Sequence, residues 1–244
     1  MIKTKYLLLV SLFFCSGSLL AQKVPAWGGG GDLRDFGFGF TFSYVGSYYK
    51  IDKNPNWQNP FFDPTNNAYV TNSLTSISSS YASGFGVGFL TRYRLTDHLE
   101  ARFAPSLIFA DRVINYTYVN QDPIYKLVTN TSVDFPLSLK LKSDRMDNLR
   151  LYIMGGVKLN QAISSKYNSD VNLPAIDKVV KNLNRYNAYE VGLGCEIYFE
   201  FFKLSPEIKL SNSFGDVMLH DNSAFSSPID KLGLHTVMFS LYFE

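Results

Sequence analysis

The side chains of this chain that could do chemistry fall into two groups, distinguished by their spacing. In the first, His220 stands beside Asp221 and four residues beyond Asp216 in one polar stretch. A histidine oriented by a carboxylate can act as a general base or complete a triad, provided a nucleophile lies within hydrogen-bond reach. Adjacent residues of an extended chain point apart, and no serine stands out by spacing as a third member. These three residues therefore read as ordinary loop polarity. His98 and His235 lie far from one another and from any cysteine pattern, which leaves no zinc-type ligand set. No catalytic residue, metal or cofactor is expected.

The second group is ionic. Arg92, Arg94, Glu100, Arg102, Asp134, Lys140, Lys142, Arg150, Lys158, Glu190, Glu196, Glu200, Glu207 and Lys209 fall at alternate positions of segments whose other positions are apolar. Charges so placed share one face of an extended strand. Their chemistry is mutual pairing, because an ion withdrawn from water persists only when a counter-ion and hydrogen bonds replace the solvent. Glu190, Glu196 and Glu200 would line one wall, with Arg150, Lys158 and Lys209 on the neighbouring strands as cross-strand partners.

Eight segments of period two position these charges. The first sets Phe36, Phe38, Phe40, Phe42 and Tyr44 against glycine, threonine and serine, and the second sets Phe85, Val87, Phe89 and Tyr93 against Gly84, Gly86, Gly88, Arg92 and Arg94. The third alternates Leu99, Ala101, Phe103 and Leu107 with Glu100, Arg102 and Ser106, and the fourth alternates Val133, Phe135, Leu137, Leu139 and Leu141 with Asp134, Ser138, Lys140 and Lys142. The same pattern runs from Leu149 to Lys158, from Glu190 to Glu200, from Leu204 to Leu210 and from Thr236 to Glu244. Glycines on the polar face make room for long side chains or mark bends. Pro105, Pro136 and Pro206 each remove a ladder donor, and bulges are expected there.

Met1 to Gln22 reads as a secretory signal, with Lys3 and Lys5 at its basic end, an apolar run from Tyr6 to Phe14, and small residues up to Ala21. Phe14 before Cys15 argues against a lipoprotein signal. Residues 23–34 are expected to form a periplasmic tail and residues 35–244 the folded domain. Of 244 residues, 16% are aromatic and 18% charged, and the net charge of +2 gives no reason to expect nucleic acid. Without the signal, Cys195 is the sole cysteine, which excludes an intramolecular disulfide.

Two features separate a membrane barrel from a soluble sandwich, which also alternates. The segments exceed the five or six residues of ordinary strands and reach the ~9–11 needed to span a bilayer. Connections also alternate: long after Lys50, short at Thr96-Asp97, medium at Asn120 to Pro123, short at Asp144 to Asp147, long from Ser164 to Tyr186, short at Phe201-Phe202, and long from Phe214 to Asp230. The expected fold is all-β, an eight-stranded antiparallel transmembrane β-barrel in the outer membrane. It has long extracellular loops, short periplasmic turns and both termini in the periplasm. A barrel this narrow is filled by side chains, so the ionic group is expected to form a network that plugs the lumen. Pro174 to Asn184, with Ile176, Val179, Val180 and Leu183, has the spacing of a short amphipathic helix that would serve as a lid on the rim rather than as a docking helix.

The residues also resemble the PorT (SprT) family of outer-membrane β-barrel proteins of the type IX secretion system. The resemblance is carried by Asp35 to Thr41 (DFGFGFT), Leu99 to Leu107 (LEARFAPSL), Val133 to Leu137 (VDFPL), Tyr152 to Gly156 (YIMGG) and Glu190 to Gly194 (EVGLG). Tyr198 to Glu207 (YFEFFKLSPE), Ser227 to Asp230 (SPID) and the closing Leu241 to Glu244 (LYFE) extend it along most of the chain. The glycine run from Gly28 to Gly31 departs from the family pattern. What the resemblance implies is a non-enzymatic, accessory role in type IX protein secretion and the linked gliding machinery, with outer-membrane lipid and other secretion components as partners.

Overall fold

The computed structural model describes residues 34–64, 66–163, 178, 180–221 and 223–244. The signal and most of the tail lie outside the described residues, as do residues 174–177 and 179 of the segment read as a lid helix. The strands are β1 (Phe36–Lys53), β2 (Phe62–Asp63), β3 (Ala68–Tyr69), β4 (Leu74–Ser80), β5 (Ala82–Arg94), β6 (Leu99–Phe103) and β7 (Ser106–Tyr118). They continue with β8 (Gln121–Lys142), β9 (Leu149–Ala162), β10 (Lys181–Asn182), β11 (Arg185–Tyr198), β12 (Lys203–Ser213), β13 (Met218–Leu219) and β14 (Ile229–Phe243).

The wall has eight strands because two of them are interrupted: β4 and β5 form one, broken at Tyr81, and β6 and β7 form another, broken at Ala104 and Pro105. Every pairing is antiparallel. β1 pairs with β14 on one side and with β5 on the other, so the sheet closes on itself. Closure removes the unpaired edges that lipid could not satisfy. The prolines leave gaps in the ladder where bulges were expected. Pro105 and Pro136 border one gap between the third and fourth wall strands, and Pro206 borders another between β11 and β12, with the register unchanged across each. An omitted rung accommodates the missing N–H without inserting a residue.

At the end that carries the start of β1, the apolar residues face outward, with Phe38 72% and Phe89 75% exposed. The outward band on β1 runs from Phe36 to Tyr44 and on β8 from Leu141 to Val133. Nine residues at ~3.4 Å each, tilted by ~40°, span about 23 Å, close to the ~25 Å apolar band of outer-membrane barrels.

The strands do not stop there. β8 has 22 residues, about twice the ~9–11 that spanning requires. Beyond the band the polarity inverts. Lys50, Asp52, Asp111 and Lys231 face outward, while Ile114, Tyr116 and Leu232 point inward with 0% exposure. These residues form an apolar core with Leu74, Ile77, Tyr118, Val128 and Leu234, and Val217, Met218, Ala224 and Phe225 enter it from the last loop. The barrel is thus inside-out along its lower half and built like a soluble protein in an upper turret. The connection expected around Asn120 to Pro123 is a two-residue turn with Asn120 at φ 54°, and Pro123 lies within β8. The described part of the supposed lid helix is extended: Val180 is buried in the turret core, and β10 pairs with β13. The Leu183 backbone N–H donates to the Val217 carbonyl at 2.8 Å, which ties this short strand to the last loop.

Candidate functional site

The inverted alternation gathers ions in the lower lumen. Glu100 lies 3.0 Å from Lys142, 3.8 Å from Lys140 and 3.7 Å from Arg92. Glu196 lies 2.5 Å from Lys140 and 3.2 Å from Lys203, and it accepts a hydrogen bond from the Tyr198 hydroxyl at 2.8 Å. Lys203 and Arg92 both reach Glu244, at 2.9 and 2.6 Å. Glu100, Lys140, Glu196, Lys203, Glu244 and Arg92 therefore form a closed ring of alternating charge, contributed by strands from all round the wall.

A second series climbs the lumen. Arg102 pairs with Glu207 at 2.7 Å, Lys209 lies between Glu207 (3.9 Å) and Glu190 (4.0 Å), and Lys158 lies between Glu190 (3.9 Å) and Asp134 (2.9 Å). Asn160 donates to Asp134 and to Ser132, and Lys209 donates to the Tyr242 hydroxyl. Tyr152 lies between the two sets, with Lys140 Nζ 3.9 Å and the Arg102 guanidinium 5.5 Å from its ring centroid. A Cβ on Gly194 would come within 2.6 Å of the Tyr152 ring, so the glycine there gives that ring its space.

Not every ion read from the sequence enters this lumen. Glu200 is exposed in the turn after β11, because the strand ends at Tyr198 and reverses through Phe199 to Phe202 before parity can carry Glu200 inward. Arg94 is partly exposed at the rim, where it pairs with Asp97 of the next turn. That pairing, chiefly the hydrogen bond from Arg94, holds the Asp97 carboxyl below its usual range. Arg150 is half-buried and stands opposite Glu196 in the ladder, while the Glu196 carboxylate is held by Lys140 and Lys203.

Among the described residues, the inward ions outside the set read from the sequence include Lys203, Glu244, Arg112 and Lys126, whose Nζ lies 4.2 Å from the Phe225 ring centroid. Lys203 and Glu244 close the ionic ring: Lys203 continues the polar parity of its strand one step ahead of Leu204, and Glu244 ends the alternation that runs from Thr236. Arg112 is 3% exposed on β7, just below the turret core. Its Nε and Nη1 carry no hydrogen-bond partner among the described residues, and its guanidinium lies 5.8 Å from the Tyr49 ring centroid.

The histidine–carboxylate group has a structural arrangement. One Asp216 oxygen accepts from the backbone N–H groups of Met218 and Leu232, each at 2.9 Å, and the other lies 2.6 Å from His220 Nε2. Burial raises the pKa of this carboxyl, but the two N–H donors and His220 outweigh it and hold the group below its ordinary value. Asp221 instead accepts from Ser223 and Ser226, whose hydroxyls also contact each other. The two acids thus clasp the last loop at separate points. His235 faces outward beside Tyr48 and lies 2.5 Å from Asn212 Oδ1. Among the described residues no cluster of histidine, cysteine and acids could hold a metal ion.

An antiparallel ring with an outward apolar band and inward ions defines an integral β-barrel of the outer-membrane class. The family model for the outer membrane protein beta-barrel domain matches residues 20–219, and the chain belongs to that family. Residues 220–244, beyond the match, supply β14, which closes the wall. Among solved structures the chain is similar to the outer membrane protein OprG from Pseudomonas aeruginosa, with 11% identity, 91% of this chain and 97% of that chain covered, and a TM-score of 0.46. It is also similar to Neisserial surface protein A, at 11% identity, 84% and 97% coverage and a TM-score of 0.40. A third likeness is to the outer membrane protease OmpT from Escherichia coli, at 9% identity, 85% and 94% coverage and a TM-score of 0.41. A comparison with curated proteins finds no significant match.

Proposed function

We propose that this protein is a sealed, non-enzymatic outer-membrane barrel that acts as an accessory of the type IX secretion machinery and the linked gliding apparatus. In this reading residues 1–22 are a cleaved signal, residues 23–34 a periplasmic tail, and both termini and the short turns face the periplasm. The observation that carries the accessory role is the double filling of the lumen: an ionic ring whose Lys140 and Glu196 are 0% exposed, and above it an apolar plug centred on Phe225, also 0% exposed. A bore closed at two levels passes neither solute nor protein, so the barrel contributes surfaces, chiefly the turret and the turns. The link to secretion rests on the ordered motifs that resemble the PorT family.

Deletion of the gene, with complementation, tests the link. Loss of type IX cargo export that the intact chain restores is the expected result, together with co-purification of other secretion components from native membranes in mild detergent. Export that continues normally would leave a generic small outer-membrane barrel, of structural, adhesin or narrow-pore type, as the correct reading. A large, steady conductance in planar bilayers would reject the sealed lumen.

A further inference from the structure

At the loop end of the barrel, a cleft of about 400 Å³ opens between the first and last long connections. Its walls include Trp57, Phe61 and Phe62 with Asn54, Asn56 and Asn59, and among the described residues no charged side chain lines it. Its floor is Leu74 and Ala224, both members of the turret core, so the cleft is seated on packed structure.

The loop that forms it is tightly built. The Asn54 backbone N–H donates to the Pro228 carbonyl at 3.1 Å, its side-chain amide donates to the Ser227 carbonyl, and its Oδ1 accepts from Asn56 N–H at 2.9 Å. Phe61 N–H is held by the Thr71 hydroxyl at 3.1 Å, and the Lys53 ammonium lies 4.0 Å from the Trp57 ring centroid. Phe62 is 44% exposed and packs edge-on against Tyr69, at 5.3 Å. Asn54 is consumed by the loop, whereas the side-chain amides of Asn56 and Asn59 are exposed and make no hydrogen bond among the described residues.

We infer that this cleft is a binding site for an uncharged carbohydrate. Its volume falls within the ~300–1,000 Å³ of ordinary ligand sites. Aromatic faces match the C–H faces of a pyranose ring, and each free amide offers both donors and an acceptor, as paired hydroxyls require. Among the described residues the lining itself holds no charged side chain, and the Lys53 ammonium nearby is engaged on the Trp57 ring, so charged ligands are disfavoured; the amides disfavour an acyl chain, which would leave them desolvated and unpaired. The biological use of the site rests on the proposal that the loop end faces outward.

The test uses the purified full chain in an amine-oxide detergent, whose headgroup carries no sugar, on an array of neutral and sulfated oligosaccharides. Retention of at least one neutral class is expected. That retention should fall at least tenfold in an Asn56→Ala/Asn59→Ala variant that keeps the wild-type heat-modifiable mobility. Phe62→Ala, at an exposed position, should lower it as well and serves the same purpose if the double variant misfolds. Retention of sulfated glycans alone, of none, or retention unchanged by the variants overturns the inference. Because the array uses isolated protein, its result bears on the cleft and not on orientation. Thiol labelling of an Ala68→Cys variant on whole cells reads the orientation separately, and lack of labelling would reject the outward-facing loop end.

Discussion

Glu196 has Lys140 at 2.5 Å and Lys203 at 3.2 Å, and neither Glu196 nor Lys140 has any exposure to solvent. Removing one member of such a pair leaves the other as an uncompensated buried charge, at a cost of about 3–5 kcal/mol. Lys140→Ala and Glu196→Ala are each expected to lower stability to urea by that amount, and the double variant by clearly less than the sum. Strict additivity would mean that the two ions are solvated and the lumen wet. Arg112 provides the contrast, because its guanidinium is buried without a carboxylate in ion-pair range among the described residues. Arg112→Met is expected to be neutral or to stabilise by about 1–4 kcal/mol in the same urea titration. A loss as large as that of Lys140→Ala would assign the guanidinium a role that its contacts do not reveal.

The strands carry two environments in succession, and equivalent outward positions should therefore respond differently. Phe89 on β5 and Tyr125 on β8 are both exposed, at 75% and 67%, but only Phe89 lies within the apolar band. Phe89→Arg is expected to cost about 2–4 kcal/mol in lipid vesicles, and Tyr125→Arg close to nothing. Equal costs would move the bilayer boundary up the strands. The last loop depends on pH through Asp216. Its pKa is held below the unfolded value of 3.8, so its contribution is fully present above that value and is lost as pH falls through the folded-state pKa. Hydrogen exchange at the Met218 and Leu232 amides should stay slow from neutral pH to about pH 4. Once the intrinsic pH dependence of exchange is removed, protection should fall below that, and an Asp216→Ala variant should lack it throughout. Protection unchanged down to pH 2 in the native chain would show that the clasp does not hold this loop.

At the scale of the whole molecule, the lumen is shut twice by different physics, ions below and apolar side chains above. Phe225 is fully buried, its ring 5.1 Å from that of Tyr116, and its carbonyl accepts from the Tyr116 hydroxyl at 2.7 Å. Phe225→Ala is expected to cost about 3–5 kcal/mol, as aromatic truncations in packed cores do. It should open no conductance, because the ionic ring remains in place. A conducting Phe225→Ala barrel would show that the apolar plug alone closes the bore.

The alternation from Phe36 to Tyr44 and from Val133 to Leu141 determined, by itself, that the chain is a membrane barrel and which face meets lipid. Period two is a local property, and lipid demands a face without charge. The same parity marked Glu100, Arg102, Lys140, Glu196 and Glu207 as inward. Which cation meets which anion was decided only by the tertiary structure, because the partners of Glu196 include Lys203, which lies beyond the turn, and Glu244 reaches both Lys203 and Arg92 from the opposite end of the chain. The turret was hidden for a related reason. Above the bilayer water replaces lipid, so the rule for the two faces reverses. Leu232, Ile114 and Tyr116 then occupy positions of the inward parity that had signified polarity lower down. Only the closed register of the wall shows where along each strand that exchange of solvent takes place.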